Sequence, residues 1–335
     1  MSSASSAPDP GSILDALCAF QLTEALKGAI DLDLFTQIAA GAVTASGIAE
    51  RVNGSERGIR ILCDYLTIRG FLSKEGDRYA LSPTAAVFLD KARPSYIGSM
   101  ANFLANDRLM KSFRNLGESA RKGGTVATST VSPNDPVWVE FARSMAPFIG
   151  MIAGIIAPIL ATPGRAQKVL DVAAGHGLFG VRVAQANPSA NVYGTDWAAV
   201  LTVAVENATA AGVADRYHTI PGSAFDVEIG TGYDLILVPN FLHHFDKPTN
   251  VSLLKKLRRA MTPGGTIAVV EFVPNEDRVS PPIAAAFSLQ MLGGTEHGEA
   301  YTFSDLDAML ADAGFSNRRA QPLAPTPQTL VTATA

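Results

Sequence analysis

From Ser12 to about Leu89, apolar residues recur at helical spacing and then give way to alternation. Ile13, Leu14, Leu17, Phe20 and Leu22 open the series, and Ala25, Leu26, Ile30, Leu32, Leu34 and Phe35 continue it. Thr44 and Ser55 each precede a short amphipathic run and read as helix N-caps, because a hydroxyl there can accept from an otherwise unpaired amide. Phe71–Leu81 alternates around Glu75-Gly76-Asp77, the pattern of two strands and a tight turn. Short helices followed by a hairpin give residues 12–92 the outline of a winged helix.

Residues 93–164 carry helical patterns at Tyr96–Leu104, Leu109–Arg121 and Val137–Leu160, with a Gly, Thr and Ser linker at Gly123–Ser132. After Arg165 the period changes. Strand patterns at Lys168–Val172, Asn191–Asp196, Tyr217–Ile220, Tyr233–Val238 and Thr266–Glu271 are separated by helical runs at Leu178–Ala186, Ala198–Ala211 and Val251–Ala260. A further helical run at Ser304–Ala313 precedes a last strand at Gln328–Ala333. This alternation predicts an α/β domain over 165–335, built on a Rossmann-like, mainly parallel sheet wrapped by helices.

A chain of 335 residues exceeds one comfortable core, so more than one domain is expected. The net charge of −4 argues against the cationic footprint that nucleic acid or an anionic membrane would need, leaving small molecules as the expected partners. A winged helix still raises a DNA-binding reading, with the helix from Ser55 in the groove; its Arg57 and Arg60 are offset by Glu56 and Asp64. Cys18 and Cys63 lack metal-ligand spacing and read as thiols of a reducing compartment. Met1–Gly11 has neither a basic nor an apolar signal region and reads as a disordered leader, so a cytoplasmic location is expected. No charge falls between Arg143 and Arg165, a stretch near membrane-spanning length, but Pro147, Pro158, Pro163, Gly150 and Gly154 interrupt it. A buried core or interface helix is the expectation there.

The chemistry concentrates at strand ends. In a doubly wound sheet the ligand lies outside the carboxyl ends of the strands, where glycine lets backbone approach it closely. Asp171-Val-Ala-Ala-Gly175-His-Gly177 occupies that turn, and Asp196 lies where a carboxylate would hold a ribose. Gly175-His-Gly-Leu-Phe-Gly180 also matches a dinucleotide fingerprint, which by itself does not separate NAD from S-adenosylmethionine. Asp171, four residues before Gly175, favours the latter, because a carboxylate suits its cationic end directly or through water.

The order of these features over residues 12–335 resembles the class I O-methyltransferases of the plant caffeate and bacterial hydroxyneurosporene or polyketide type. The resemblance implies a seven-stranded methyltransferase sheet, an N-terminal winged-helix dimerisation domain and a homodimer. It implies S-adenosyl-L-methionine as cofactor, S-adenosyl-L-homocysteine as its product and no metal. Val169–Gly177 resembles the family's first motif, with Asp171, Gly175 and Gly177 at the cofactor. Gly194-Thr-Asp196-Trp197 resembles its ribose-binding stretch, and Pro221-Gly-Ser223-Ala224-Phe225 the stretch around the adenine, with Ser223 replacing an aspartate. Asn240-Phe-Leu-His-His-Phe-Asp246 resembles the histidine-aspartate-tryptophan motif; Asn240 is assigned to the cofactor and His243 to the catalytic histidine, with His244 on the aspartate and Phe245 on the tryptophan.

A histidine there makes chemical sense, since an imidazole can take the proton of a hydroxyl that attacks a sulfonium methyl in line. Glu271 matches the first of two glutamates that orient it, as a carboxylate fixing an imidazole tautomer would. The second falls on Ala300, so that Glu299 substituting, a different acceptor, or catalysis by alignment alone all stay open. Phe141, Met145 and Met291 match acceptor-lining positions, and their other reading is core packing. The residues 93–164 are then a helical connector contributing to the acceptor pocket. His176 and His297 carry no assignment. The expected activity is methyl transfer to a hydroxyl of a small aromatic or polyketide-like molecule; a sulfur or nitrogen acceptor, or a ligand-binding regulator without catalysis, are the alternatives.

Overall fold

The computed structural model describes residues 8–129 and 135–335. The first seven residues of the expected leader, and residues 130–132 of the linker at Gly123–Ser132, lie outside the described residues. The chain divides into two compact units, Met1–Asn106 and Asp107–Ala335.

In the N-terminal unit the first helix is Pro10–Cys18, starting two residues ahead of the expected boundary because Asp9 caps it by accepting from the Gly11 amide. Helices Phe20–Asp31, Leu34–Ala39, Ala45–Val52 and Glu56–Ile68 follow, then strands β1 (Leu72–Glu75) and β2 (Arg78–Leu81). Thr44 and Ser55 are the N-caps the sequence indicates, accepting from Gly47 and Gly58 at 3.2 and 3.4 Å. Leu34, Phe35, Ile48, Ile59, Cys63, Leu66, Leu72 and Tyr79 form the core. The Tyr79 hydroxyl donates to Asp64 at 2.7 Å, which docks the hairpin on the helix Glu56–Ile68. Helices Pro83–Phe88 and Met100–Leu104 complete the unit.

The C-terminal unit is a seven-stranded sheet wrapped by helices. Its strands are β3 (Gln167–Val172), β4 (Ala190–Asp196), β5 (Tyr217–Pro221), β6 (Tyr233–Pro239), β7 (Met261–Glu271), β8 (Ser316–Pro322) and β9 (Thr329–Thr334), in the order β5-β4-β3-β6-β7-β9-β8. β3 to β7 run parallel, and β9 is antiparallel to both neighbours. The order reverses between β3 and β6, which opens the crevice of a doubly wound sheet outside their carboxyl ends. Helices Leu178–Ala186 and Ala198–Ala210 follow β3 and β4, and Lys247–Ala260 follows β6.

Three elements depart from the sequence pattern for identifiable reasons. The helix expected at Leu109–Arg121 is two, Asp107–Arg114 and Leu116–Lys122, broken at Asn115 with φ −104° and ψ 20°. Helix Pro282–Gly294 has apolar residues on every face and therefore no periodic signal. Strand β8 is almost wholly exposed and polar, so it lacks the apolar alternation of a half-buried strand. The described part of the Gly123–Ser132 linker is anchored, with the Thr125 amide donating to Thr295 O and its hydroxyl to Gly293 O, both at 2.7 Å.

The apolar helix Val137–Leu160 has the length and hydropathy to cross a membrane. It packs against Leu178–Ala186 and Ala198–Ala210 in its own unit, burying Ala142, Met145, Ile149, Ile152, Ala153 and Ile156 on one stripe. That position beside the crevice brings its N-terminal half to the candidate site.

Gly180 decides how closely β3, β4 and the helix Leu178–Ala186 approach. A Cβ there would lie 2.5 Å from Val192 Cγ1 and 3.0 Å from Asp171 Oδ2, both fixed in the core. Alanine normally favours a helix over glycine by about 1 kcal/mol, whereas overpacking a tight core costs about 1–3 kcal/mol. Gly180→Ala is therefore expected to lower the thermal midpoint of the full chain; an equal or higher midpoint contradicts this close packing.

Candidate active site

The first wall of the crevice is the turn after β3. Gly175 and Gly177 have φ of +56° and +71°, a region side-chain-bearing residues avoid, and a Cβ on Gly177 would lie 2.7 Å from Ala204 Cβ. Asp171 lies beneath the turn with no exposed surface, and its Oδ2 accepts from the Gly180 amide at 3.0 Å near the N-terminus of the following helix. Its Oδ1 is buried without a partner among the described residues. Burial pushes this carboxyl up to about 8, against the Gly180 hydrogen bond.

Asp196 ends β4 and joins the two strand ends, since its Oδ2 accepts from the Gly175 amide at 2.9 Å and its Oδ1 from the Trp197 amide at 2.7 Å. Desolvation lifts it to about 6 despite both bonds. Beyond β5, Ser223 accepts from the Phe225 amide at 3.2 Å. Ala224 is buried. Phe225 meets Phe241 and Phe245 at ring separations of 6.1 and 4.9 Å, which joins the β5 turn to the β6 turn.

The opposite wall follows β6. Asn240 has φ +51° and a buried Oδ1 without a partner among the described residues. The next residues form one tight turn around Glu271, the last residue of β7. Glu271 Oε1 accepts the backbone amides of Phe241, Leu242 and His243 at 3.0, 2.9 and 3.3 Å. Its Oε2 lies 2.5 Å from His243 Nδ1. His243 and Glu271 are 3% and 2% exposed, so this pair is sealed from water. With Nδ1 committed to the carboxylate, Nε2 is the ring nitrogen left to act as an acceptor.

Aromatic rings close around this pair. Phe287 on helix Pro282–Gly294 lies edge-on to His243 at 4.8 Å and stacks on Phe272 at 4.0 Å. Trp138 meets His244 at 5.5 Å, and Phe141 meets His176 of the glycine turn at 6.5 Å with nearly parallel planes. The long helix thus reaches both walls of the crevice. Met145 lies one helical turn beyond Phe141, and Met291 one turn beyond Phe287; both are buried, at 9% and 4% exposure.

Glu299 is not brought to His243. It pairs with Arg278 and keeps 42% of its side chain exposed, while Ala300 is fully buried. The preceding Gly298 lies against the His243 backbone, where a Cβ would be 2.3 Å from the His243 carbonyl oxygen. The Glu299 side chain turns to Arg278 at the surface. His244 is tucked against His243 at a ring separation of 4.4 Å, and desolvation, then the neighbouring His243, hold it well below the usual imidazole range. His176 accepts from the Leu178 amide at Nδ1, 3.1 Å away, and burial pushes it down to about 4. His297 is exposed. Phe287, Phe272 and Trp138 escape sequence reading because nothing in their spacing separates a site wall from core.

The unpartnered oxygens of Asp171 and Asn240, at the two strand ends bordering the crevice, and the close-approach glycines fit a compact polar ligand with a cationic end. Comparison with known proteins agrees. An O-methyltransferase domain model matches residues 139–316, and an O-methyltransferase dimerisation domain model matches residues 14–91. The chain is 28% identical over 318 residues to the tetracenomycin polyketide synthesis 8-O-methyl transferase of Streptomyces glaucescens, covering 92% of each. A crystal structure of a protein assigned as an O-methyltransferase in Nostoc punctiforme is 45% identical, with a TM-score of 0.95 over 98% of this chain and 100% of that one. Human N-acetylserotonin methyltransferase in complex with S-adenosylmethionine shares the fold at 19% identity and a TM-score of 0.81, over 100% and 99% of the two chains.

Glu271 is expected to matter more for stability than the histidine it holds. Glu271→Ala orphans three backbone amides, each costing about 1–3 kcal/mol if left unsatisfied, so a loss of about 3 kcal/mol or more is expected in urea unfolding. His243→Ala should cost less than Glu271→Ala in the same measurement. The reverse order would show that the carboxylate does not organise the turn.

Proposed function

The chain belongs to the O-methyltransferase family and is an S-adenosylmethionine-dependent O-methyltransferase; on that premise we propose that it methylates a hydroxyl of a small aromatic or polyketide-like acceptor, with His243 as the general base. The cofactor assignment resolves the choice the glycine pattern left open. When bound, S-adenosylmethionine supplies an electrophilic methyl on a cationic sulfur. The observation that carries the base assignment is the His243–Glu271 contact at 2.5 Å in a sealed setting.

In this reading Glu271 holds the Nδ1–H tautomer, and His243 Nε2 takes the proton of the acceptor hydroxyl as that oxygen becomes bonded to carbon. Phe287 keeps water from one edge of the imidazole, and Trp138 and Phe141 offer flat apolar walls to the acceptor. Met145 and Met291 extend that lining as adaptable apolar surface. Asp196 holds the ribose, with Trp197 beside it, and Asn240 and Asp171 flank the methionine end. The turn at Gly175 and Gly177 lets the backbone close on the cofactor. Ser223, Ala224 and Phe225 border the base. Glu299 serves the Arg278 pair, outside the catalytic group.

A dimer is supported by the dimerisation-domain match and by Ile13, Leu14, Leu17 and Phe20, which the N-terminal unit leaves 58–71% exposed. We accordingly propose a homodimer formed through this unit, working in the cytoplasm.

His243→Ala is expected to lower turnover of a phenolic acceptor about 10²- to 10⁴-fold, the usual contribution of a positioned base. Calorimetry should find its S-adenosylhomocysteine affinity within about threefold of the parent, since the base contributes to the proton step. Turnover retained within tenfold would remove His243 from that role.

Asp171 sets a pH dependence. Held up at about 8 by burial, it carries its proton at neutral pH in the free protein. A cationic group placed beside it favours the carboxylate, so binding expels that proton and tightens as pH rises from 6 to 8. Calorimetric titration of S-adenosylmethionine across that range should show this slope, reduced in Asp171→Asn. Identical slopes in both proteins would separate Asp171 from the cofactor's cationic end.

A further inference from the structure

An acceptor hydroxyl has to reach Nε2 of a histidine that is only 3% exposed, so some part of the cover over His243 has to give way. The helix Pro282–Gly294, which lays Phe287 against the imidazole, is fastened differently at its two ends. Buried bonds hold its C-terminal end: the Thr125 hydroxyl donates to Gly293 O and the Thr295 hydroxyl to Met291 O, both at 2.7 Å. Its N-terminal end continues a tight strap, Asn275–Ser280. The Asn275 amide donates to Ser280 O at 2.7 Å, and the Asp277 carboxylate accepts from the Val279 and Ser280 amides at 3.0 and 2.9 Å, so the strap is one rigid turn. Its ties to the rest of the unit lie at the surface. The Arg278 guanidinium reaches Glu299 with one nitrogen and Asp305 with another, the latter at 2.8 Å, while Lys247 takes the second oxygen of Asp305 at 2.5 Å. Glu276 accepts from the Ser304 amide at 3.3 Å, and further along the helix the Ser288 hydroxyl accepts from the Ala300 amide at 3.2 Å.

Ion pairs open to water are weak and screened by salt, and the Arg278 and Glu299 side chains keep 45% and 42% of their surface exposed. Arg278 also sits at φ +57°, a backbone region that a bulky side chain avoids, so its contacts have to hold it there. The N-terminal end of the helix is therefore the end that opens at lower cost, with the buried C-terminal end as the fixed point. We propose that Arg278 is a positioning residue for the methyl transfer. Its guanidinium latches the strap, and with it Phe287, over His243; the latch opens to admit the acceptor and closes for the proton step. Closure presses Phe287 against the imidazole and keeps water from it, which holds the base in its reacting geometry.

The test is hydrogen exchange of the full chain, read by mass spectrometry in a peptide containing Ala285–Phe287, at about 0.05 and about 0.5 M salt. Exchange there is expected to rise with salt in the parent. Arg278→Met should raise it about fivefold or more at low salt and remove the salt response, and Arg278→Lys should restore part of both. Exchange at the parent's level in Arg278→Met, or an undiminished salt response, overturns the latch. Turnover of a phenolic acceptor should fall about tenfold in Arg278→Met, while calorimetry finds S-adenosylhomocysteine affinity within about threefold of the parent. Turnover at or above the parent's, or an equal loss of cofactor affinity, overturns the positioning role. The inference rests on His243 as the base, and His243→Ala, measured alongside, separates the two failures. If His243→Ala keeps its turnover, the base reading fails and the positioning role with it, while the exchange still decides the latch. If His243→Ala loses turnover and Arg278→Met does not, the positioning role alone fails.

Discussion

A carboxylate taken out of water needs a full set of partners, and Glu271 has them from a single turn. One oxygen gathers three consecutive backbone amides and the other meets an imidazole, all at the carboxyl end of a buried strand. The turn after β6 is therefore folded around an anion, much as a helix N-terminus is. Its shape fixes where His243 stands, where Phe241 and Phe245 pack against Phe225, and which carbonyls Asn250 and Tyr301 occupy. Removing the charge would loosen His243 and the phenylalanine cluster together.

Across the crevice Asp196 plays the corresponding part with fewer partners, joining the ends of β3 and β4 through the Gly175 and Trp197 amides. Asp171 has no exposed surface and is incompletely satisfied, with one oxygen on Gly180 and the other without a partner among the described residues. Such an unpaired group is costly by itself, and a cation placed beside it would offset that cost. The two walls thus differ in kind: a fully partnered carboxylate on one side and a partly unsatisfied one on the other, which in the proposed reading meets the cofactor's cationic end.

Much of this was legible in the sequence where local chemistry decides the outcome. Thr44 and Ser55 cap helices because a hydroxyl before an amphipathic run has an amide to accept from, and the glycine turn follows from the needs of a strand-to-helix crossover. His243 and Glu271 were visible as strand-end residues. Other features depend on tertiary placement. Helix Pro282–Gly294 is apolar all round, so neither its existence nor Phe287's approach to His243 has a periodic signature. Glu299 is one position from where a second glutamate was expected, but its side chain pairs with Arg278 at the surface, a tertiary contact that spacing does not carry. The engagement of Lys256 with the Ala224, Phe225 and Val227 carbonyls of a distant turn leaves no trace in spacing.

Whether Glu271 fixes the tautomer of His243 is read most directly by nitrogen-15 NMR of the ring, with the full chain at neutral pH. The expected result is a protonated Nδ1 with a strongly deshielded proton and an unprotonated Nε2, the Nδ1 proton losing that deshielding in Glu271→Gln. An Nε2–H tautomer in the unmodified protein would contradict it, because the nitrogen facing the acceptor would then have no lone pair to offer.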